Sequence, residues 1–147
     1  MNLDMNPDSR TEGILVIQTG GTIDKDYPKR KGGYAFEIAE CAARRIFEKI
    51  EVAHTFLSVC KKDSQDITDV DRNDLMRACR DADQSKILIT HGTDTMIQTA
   101  QYIARECLSK TIVFTGSFLP ETFKASDAEF NVGFALLLGI GLIQMSQ

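Results

Sequence analysis

Four short apolar runs, each followed by a stretch of helical periodicity, constrain this chain more than any other feature. The runs read as strands over Ile14–Gln18, Val52–Val59, Ile87–Thr90 and Thr111–Thr115. Helices are expected over about Phe36–Lys49, from Thr68 to about Ala82, from about Asp94 onward, and from Ser126 through Leu138. The first mixes an apolar stripe (Ile38, Cys41, Ala42, Ile46) with a charged face. Two starts carry a capping-box pattern, Thr68-x-x-Asp71 and Ser126-x-x-Glu129, in which the first hydroxyl and the later carboxylate satisfy each other's backbone donors. The Asp94 carboxylate is expected to cap the third helix. A short fifth strand, Gly141–Met145, is expected to close the chain. Strands alternating with helices imply an α/β fold, a mostly parallel sheet with helices on both faces. The order of the strands is not readable from the pattern.

The chain has 147 residues, one domain's worth and enough for a real core. The polar stretch 1–12 is expected to be a disordered leader and 13–147 a single domain. The leader has no apolar centre and does not resemble a signal peptide. The longest apolar stretch, Phe134–Ile143, is shorter than a membrane span. The net charge of −4 argues against a nucleic-acid partner, which calls for a basic stripe. The lysine-rich patches Lys29-Arg30-Lys31 and Lys61-Lys62 read as solvated surface. Cys41, Cys60, Cys79 and Cys107 are scattered, with no Cys-x-x-Cys, and the only histidines are His54 and His91. No metal set is therefore expected, and the cysteines read as buried, reduced thiols of a cytoplasmic protein.

Two of the strands run into threonine-glycine loops, Thr19-Gly20-Gly21-Thr22 and His91-Gly92-Thr93-Asp94-Thr95. In an open α/β sheet, ligands bind beyond the carboxyl ends of the strands. Paired glycines permit φ > 0 and close approach to backbone. The first loop lacks both the G-x-G-x-x-G spacing and the Gly-Lys-Ser/Thr of a P-loop; it is a bare turn or a ligand cradle. The second loop leads into a helix N-terminus, whose N–H groups suit an anion or a developing oxyanion; it is a site or an ordinary helix start. Ser64-Gln65-Asp66 is a polar loop that is solvated or holds a polar ligand. Tyr34, in a glycine-rich loop, is a candidate lid residue or a surface tyrosine, with Tyr27 competing for the role. Gly116-Ser117 ends the fourth strand and could line the same edge.

In this order, the blocks Ile17–Ile23, Asp63–Asp66, Ile89–Met96 and Val113–Ser117, with Ser126-Asp127 and Phe130-Asn131, resemble the N-terminal amidohydrolase domain of the bacterial-type L-asparaginase/glutaminase family. The likeness covers about residues 13–140. The resemblance implies an asparaginase N-terminal-domain-like fold and hydrolysis of L-asparagine to L-aspartate and ammonia through an acyl-threonine. In that reading Thr22 is the nucleophile and Tyr34 helps to activate it. Thr93 is the second catalytic threonine. Asp94 holds the substrate α-ammonium, and Ser64 and Gln65 hold its α-carboxylate and amine. Backbone at Gly21 and Gly92 serves the oxyanion. A threonine hydroxyl needs such help, being a poor nucleophile at neutral pH. No metal or organic cofactor is implied. The implied partner is a small-molecule amino acid, not a nucleic acid or a membrane, and homo-oligomerisation is expected.

Typical members are about twice as long, resembling short forms aside, and carry a catalytic lysine beyond the segment matching the fourth helix. Here no lysine follows Lys124. Weak or absent turnover is therefore one expectation, and a non-catalytic amino-acid-binding module of the same fold is the alternative. A subunit resembling the amidase part of an archaeal tRNA-dependent amidotransferase fits less well, because no basic patch or RNA-binding extension is present.

Overall fold

In the computed structural model, residues 13–27 and 37–144 are described. The leader 1–12, the loop segment 28–36 with Tyr34, and 145–147 lie outside them. Among the described residues are six strands and four helices, in the order β1 (Ile14–Gly20), β2 (Lys25–Asp26), β3 (Glu37–Ile38), α1 (Ala42–Lys49), β4 (His54–Lys62), α2 (Asp69–Asp81), β5 (Lys86–Thr90), α3 (Met96–Ala104), β6 (Thr111–Thr115) and α4 (Ala128–Gln144). The four long strands form one sheet in the order β4-β1-β5-β6, with every neighbouring pair parallel. β2 and β3 make a separate antiparallel pair.

Alternation along the central strands sorts the core onto two faces. Val16 and Leu88 pack with Ala42, Ala43, Ile46 and Phe47 of α1 and with Ala128, Val132 and Ala135 of α4. Leu15, Ile17, Ile87 and Ile89 pack with Leu75, Met76 and Cys79 of α2 and Ile103 of α3. Helices thus cover both faces, as the alternation requires. A fully buried side chain such as Phe47 contributes roughly 1.5–3 kcal/mol over an exposed one.

The capping box at Thr68 forms as expected: Thr68 Oγ1 accepts from the Asp71 amide at 3.3 Å, and Asp71 Oδ2 accepts from the Thr68 amide at 2.9 Å. At the fourth helix, Ser126 Oγ accepts from the Ala128 amide at 3.0 Å. Three expectations are corrected. α1 starts at Ala42 and not near Phe36, because Glu37–Ile38 pairs with Lys25–Asp26 and because the first helical amide is capped from far away: Asp24 Oδ1 accepts from Ala42 N at 2.8 Å. The strand expected over Gly141–Met145 is the last turn of α4 as far as Gln144. A short apolar run does not distinguish strand from helix, and nothing between Leu138 and Gly141 stops the helix. Only Cys41 and Cys79 are buried, whereas Cys60 is half-buried and Cys107 is exposed; Cys107 follows the end of α3 at φ 46.

Candidate functional site

β1 lies between β4 and β5, so the chain leaves it in one direction for β4 and crosses back to continue through β5 and β6. The reversal in strand order falls between β1 and β5, the place where open α/β sheets bind ligands. Both threonine-glycine loops emerge there. Gly20 and Gly21 hold φ of 116° and 89°, a conformation that residues with a Cβ adopt only under strain. The reason is backbone contact. A Cβ on Gly20 would lie 2.6 Å from the Lys62 carbonyl oxygen, and one on Gly21 would lie 2.4 Å from Gly92 N. The two loops therefore touch main chain to main chain, and the residues leaving the contact are Thr22, opening a 3-10 turn over Thr22–Asp24, and Thr93. A Cβ on Gly92 would in turn meet Ser64 Cβ at 2.7 Å and Ser64 Oγ at 2.8 Å. Three loops distant in sequence thus converge on two glycines.

The polar loop after β4 folds as a 3-10 turn over Ser64–Asp66. Ser64 is buried and is used twice: its Oγ accepts from the Asp94 amide at 3.2 Å, and its carbonyl accepts from Thr95 Oγ1 at 2.7 Å. Gln65 Nε2 donates to Asp94 Oδ2 at 2.8 Å. Ser64, Gln65 and Asp94 are therefore one cluster. Asp94 does not cap α3, as its position in sequence suggested. The N-cap is Thr95, which makes no side-chain capping bond, and the Asp94 carboxylate turns to Gln65 instead.

Most hydroxyls in these loops are tied into the scaffold. Thr19 Oγ1 donates to the Thr90 carbonyl at 2.7 Å. Thr99 Oγ1 accepts from Arg72 Nε at 3.0 Å and lies 2.9 Å from His91 Nε2. His91 Nδ1 is 2.7 Å from the Gly92 carbonyl, which can only accept, so Nδ1 carries the proton and Thr99 donates to Nε2. Burial first, and then Arg72, hold the His91 pKa below its ordinary value despite the bond to Gly92. The buried neutral ring thus braces the second loop from beneath. Among the described residues, the Thr22 and Thr93 hydroxyls take no such structural bond.

A fourth loop completes this edge. Asp127 accepts from the Phe118 amide at 3.1 Å, from the Leu119 amide at 3.1 Å and from Asn131 Nδ2 at 2.9 Å, while Asn131 Nδ2 also reaches the Gly116 carbonyl at 2.9 Å. Burial works against the Asp127 charge, but these donors outweigh it and hold its pKa below the usual value. A cavity of about 270 Å³ is lined here by Thr93, Met96, Ser117, Asp127, Asn131 and Phe130, among others. Gly116-Ser117 does line the same edge as Thr93. The organising roles of Asp127 and Asn131 had no signal of their own in the sequence, since a helix-capping segment and a binding-loop brace look alike.

Asp24 was also missed. It is 1% exposed, and burial raises its pKa to about 6. A charge two residues after Thr22 in a polar-looking run gave no sign of being buried. One expected role is corrected: the Gly21 amide donates to the Lys62 carbonyl at 3.0 Å and is not a free oxyanion donor. Among the described residues there is no His/Cys/Asp/Glu group that could hold a metal ion, and no helix is long and apolar enough to cross a membrane.

Residues 13–140 match the family model for the N-terminal domain of asparaginase. The chain therefore belongs to the asparaginase family. It is 26% identical over 135 residues to a glutaminase-asparaginase of Acinetobacter glutaminasificans, an alignment covering 85% of this chain and 41% of that protein. Among solved structures it is similar to the thermostable L-asparaginase of Thermococcus kodakarensis, with a TM-score of 0.73 and 29% identity over 86% of this chain and 40% of that one. The fold also matches a probable cytoplasmic L-asparaginase of Campylobacter jejuni, with a TM-score of 0.70 at 20% identity over 88% of this chain and 42% of that one. The chain spans about two fifths of the length of these relatives.

Proposed function

We propose that this domain is an asparaginase-type amidohydrolase that acts on the side-chain amide of asparagine, with Thr22 as nucleophile. The observation that carries the reading is the backbone contact of Gly21 with Gly92. It supports a common site for the two threonines that follow these glycines, with the Ser64–Gln65–Asp94 cluster beside them. In this reading the free oxygen of Asp94 takes the substrate α-ammonium in a charge-assisted bond, and Ser64 and Gln65 receive the α-carboxylate end. Thr22 Oγ attacks the amide carbon with help from Tyr34, and the negative charge develops against the second loop at Gly92. Thr93 assists proton transfer to the leaving ammonia. Water then cleaves the acyl-threonine and releases aspartate. No cofactor enters the scheme.

The same cluster supports a second reading, an amino-acid-binding module without turnover, because Ser64, Gln65 and Asp94 are preorganised by mutual hydrogen bonds whether or not a base serves Thr22. Ammonia release from L-asparagine by the intact chain and by Thr22→Ala separates the two. Release that depends on Thr22 supports the enzyme; aspartate binding with no release in either protein supports the module.

We further propose homo-oligomerisation through α4, where Phe130, Phe134 and Leu137 are 75%, 55% and 64% exposed along one stripe. A reducing cytoplasm suits the four unpaired thiols. Light scattering on the purified chain tests the first point.

A further inference from the structure

The Thr22 turn is short, yet it is held from several sides, and most of the holding runs through Asp24. Asp24 Oδ2 accepts from Gln18 Nε2 on β1 at 3.0 Å, and Oδ1 accepts from the first amide of α1, Ala42 N, at 2.8 Å. The Asp24 carbonyl accepts from Ala39 N at 2.8 Å, and the Asp24 amide donates back to the Gly21 carbonyl at 3.2 Å. Gln18 is itself fixed: Nε2 also donates to the Ala39 carbonyl at 3.0 Å, and Oε1 accepts from Ser58 Oγ at 3.0 Å. One buried carboxylate thus joins the turn that opens with Thr22 to β1, to β4 through Gln18 and Ser58, and to the start of α1.

We propose that ionised Asp24 is a positioning residue for Thr22, holding the nucleophile's turn in its working geometry and loosening it when protonated. The proposal rests on the amidohydrolase reading for Thr22's role, but its physical core does not. Each carboxylate oxygen faces an N–H donor. The amide nitrogen of an asparagine sets donor against donor at one of these positions, and a proton turns one oxygen into a hydroxyl, a much poorer acceptor than a carboxylate oxygen. Gln18 has no escape by flipping, because its oxygen would then face the Ala39 carbonyl. Ala42 N–H belongs to the backbone and cannot reverse. Protonation therefore removes the charge assistance from both bonds and weakens at least one of the anchors of the turn.

The surrounding charges sharpen the point. Arg45 of α1 and Lys61 of β4 favour the ionised form from a distance. Arg45 is engaged with Glu121 at 2.7 Å, and the Glu121 amide itself donates to the Ile23 carbonyl of the same turn at 3.1 Å. Asp26 of β2 lies within electrostatic reach of Arg45. Cys41, before α1, has its thiol pushed up to about 11, first by burial and then by Asp24, so it is uncharged in the relevant range. Burial nonetheless raises Asp24 to about 6, far enough above ordinary carboxylates for its titration to be separable from theirs.

The test is an amide titration of the intact chain by 15N NMR between pH 4 and 8, alongside ammonia release from L-asparagine over the same range. We expect Thr22 N–H, Ala42 N–H and the Gln18 side-chain amide to shift together with one midpoint near 6, and the common transition to vanish in Asp24→Asn. We expect kcat in Asp24→Asn to fall at least tenfold with KM within twofold, and the wild-type acid limb near the same midpoint to disappear. A Thr22 amide that does not follow Ala42 and Gln18, or an unchanged kcat in Asp24→Asn, overturns the proposal. If the wild-type chain releases no ammonia, the amidohydrolase reading fails, and the Thr22 titration still decides the role of Asp24. If Asp24→Asn does not fold, the wild-type titration alone decides it.

Discussion

Replacing Gly21 by alanine tests the contact on which the site depends. Gly21 sits at φ 89°, ψ 178°, a region essentially reserved for glycine, and forcing another residue there costs about 1–3 kcal/mol. The added Cβ would also lie 2.4 Å from Gly92 N and 2.5 Å from Gly92 Cα. Those are backbone atoms, which cannot rotate away as a side chain could, so the loops must separate at a further cost of about 1–3 kcal/mol. The total, roughly 2–6 kcal/mol, is a large part of the 5–15 kcal/mol that holds a typical domain. Gly133→Ala is the matched control. Gly133 lies within α4, and an added Cβ meets nothing within 4 Å. There alanine should stabilise by about 0.5–1 kcal/mol, because glycine is the poorer helix former. Urea unfolding followed by circular dichroism measures both, and calorimetric titration with L-aspartate measures the site. We expect opposite signs in stability, and a loss of aspartate affinity of about tenfold or more in Gly21→Ala alone. A Gly21→Ala protein within 0.5 kcal/mol of wild type, with its aspartate affinity intact, would refute the backbone contact and the site built on it.

Other consequences follow from single residues. Asp94→Ala should weaken aspartate binding about 10- to 100-fold through loss of a charge-assisted bond. Its melting temperature should barely move, since Asp94 caps no helix; an unchanged affinity would remove Asp94 from the site. Asp127→Ala releases the exposed Phe118 and Leu119 amides to water and should cost about 0.5–1.5 kcal/mol in urea unfolding, with the Gly116–Leu119 loop losing amide-exchange protection; unaltered protection there would contradict its bracing role. His91 has a folded pKa lowered below its unfolded value of 6.5. Its contribution to stability is thus full above about 6.5 and is lost as pH falls through the lowered value. Asp24 runs the other way: because burial outweighs the bonds its ionised form makes, its folded pKa is raised from 3.8 to about 6. Its own contribution to stability is full below about 3.8 and lost as pH rises through 6, even though the turn at Thr22 is held more tightly in the ionised form. Urea unfolding of His91→Gln should therefore show a smaller loss of stability than wild type on acidification from pH 7; an identical loss would mean that His91 is not neutral in the fold.

The main outline was legible because the pattern and the physics agree. Val16 and Leu88 alternate with Leu15, Ile17, Ile87 and Ile89, so the strand period already separates two faces, and the capping box at Thr68 is a local device that a local reading finds. The misread boundaries had non-local causes. α1 starts where Asp24, eighteen positions away, caps Ala42, and no window around Phe36 contains that information. α4 overran its expected end because Gly139 and Gly141 weaken a helix without stopping it. At the site, the threonine-glycine loops were visible as candidates, but their contact was not, since strand order alone brings β1 beside β5. Ser64 and Gln65 gained meaning only once Gly92 and Asp94 lay against them. Asp127, Asn131 and Asp24 act as acceptors or donors to backbone, and ordinary polar residues give no sequence mark for that.

Ammonia release from L-asparagine, measured on the purified chain beside Thr22→Ala, decides whether Thr22 is the nucleophile of an amidohydrolase. We expect measurable release by the wild-type chain and a fall of about 10³-fold or more in Thr22→Ala, with aspartate still bound by both. Equal release by the two proteins, or none by the wild type, would contradict that role.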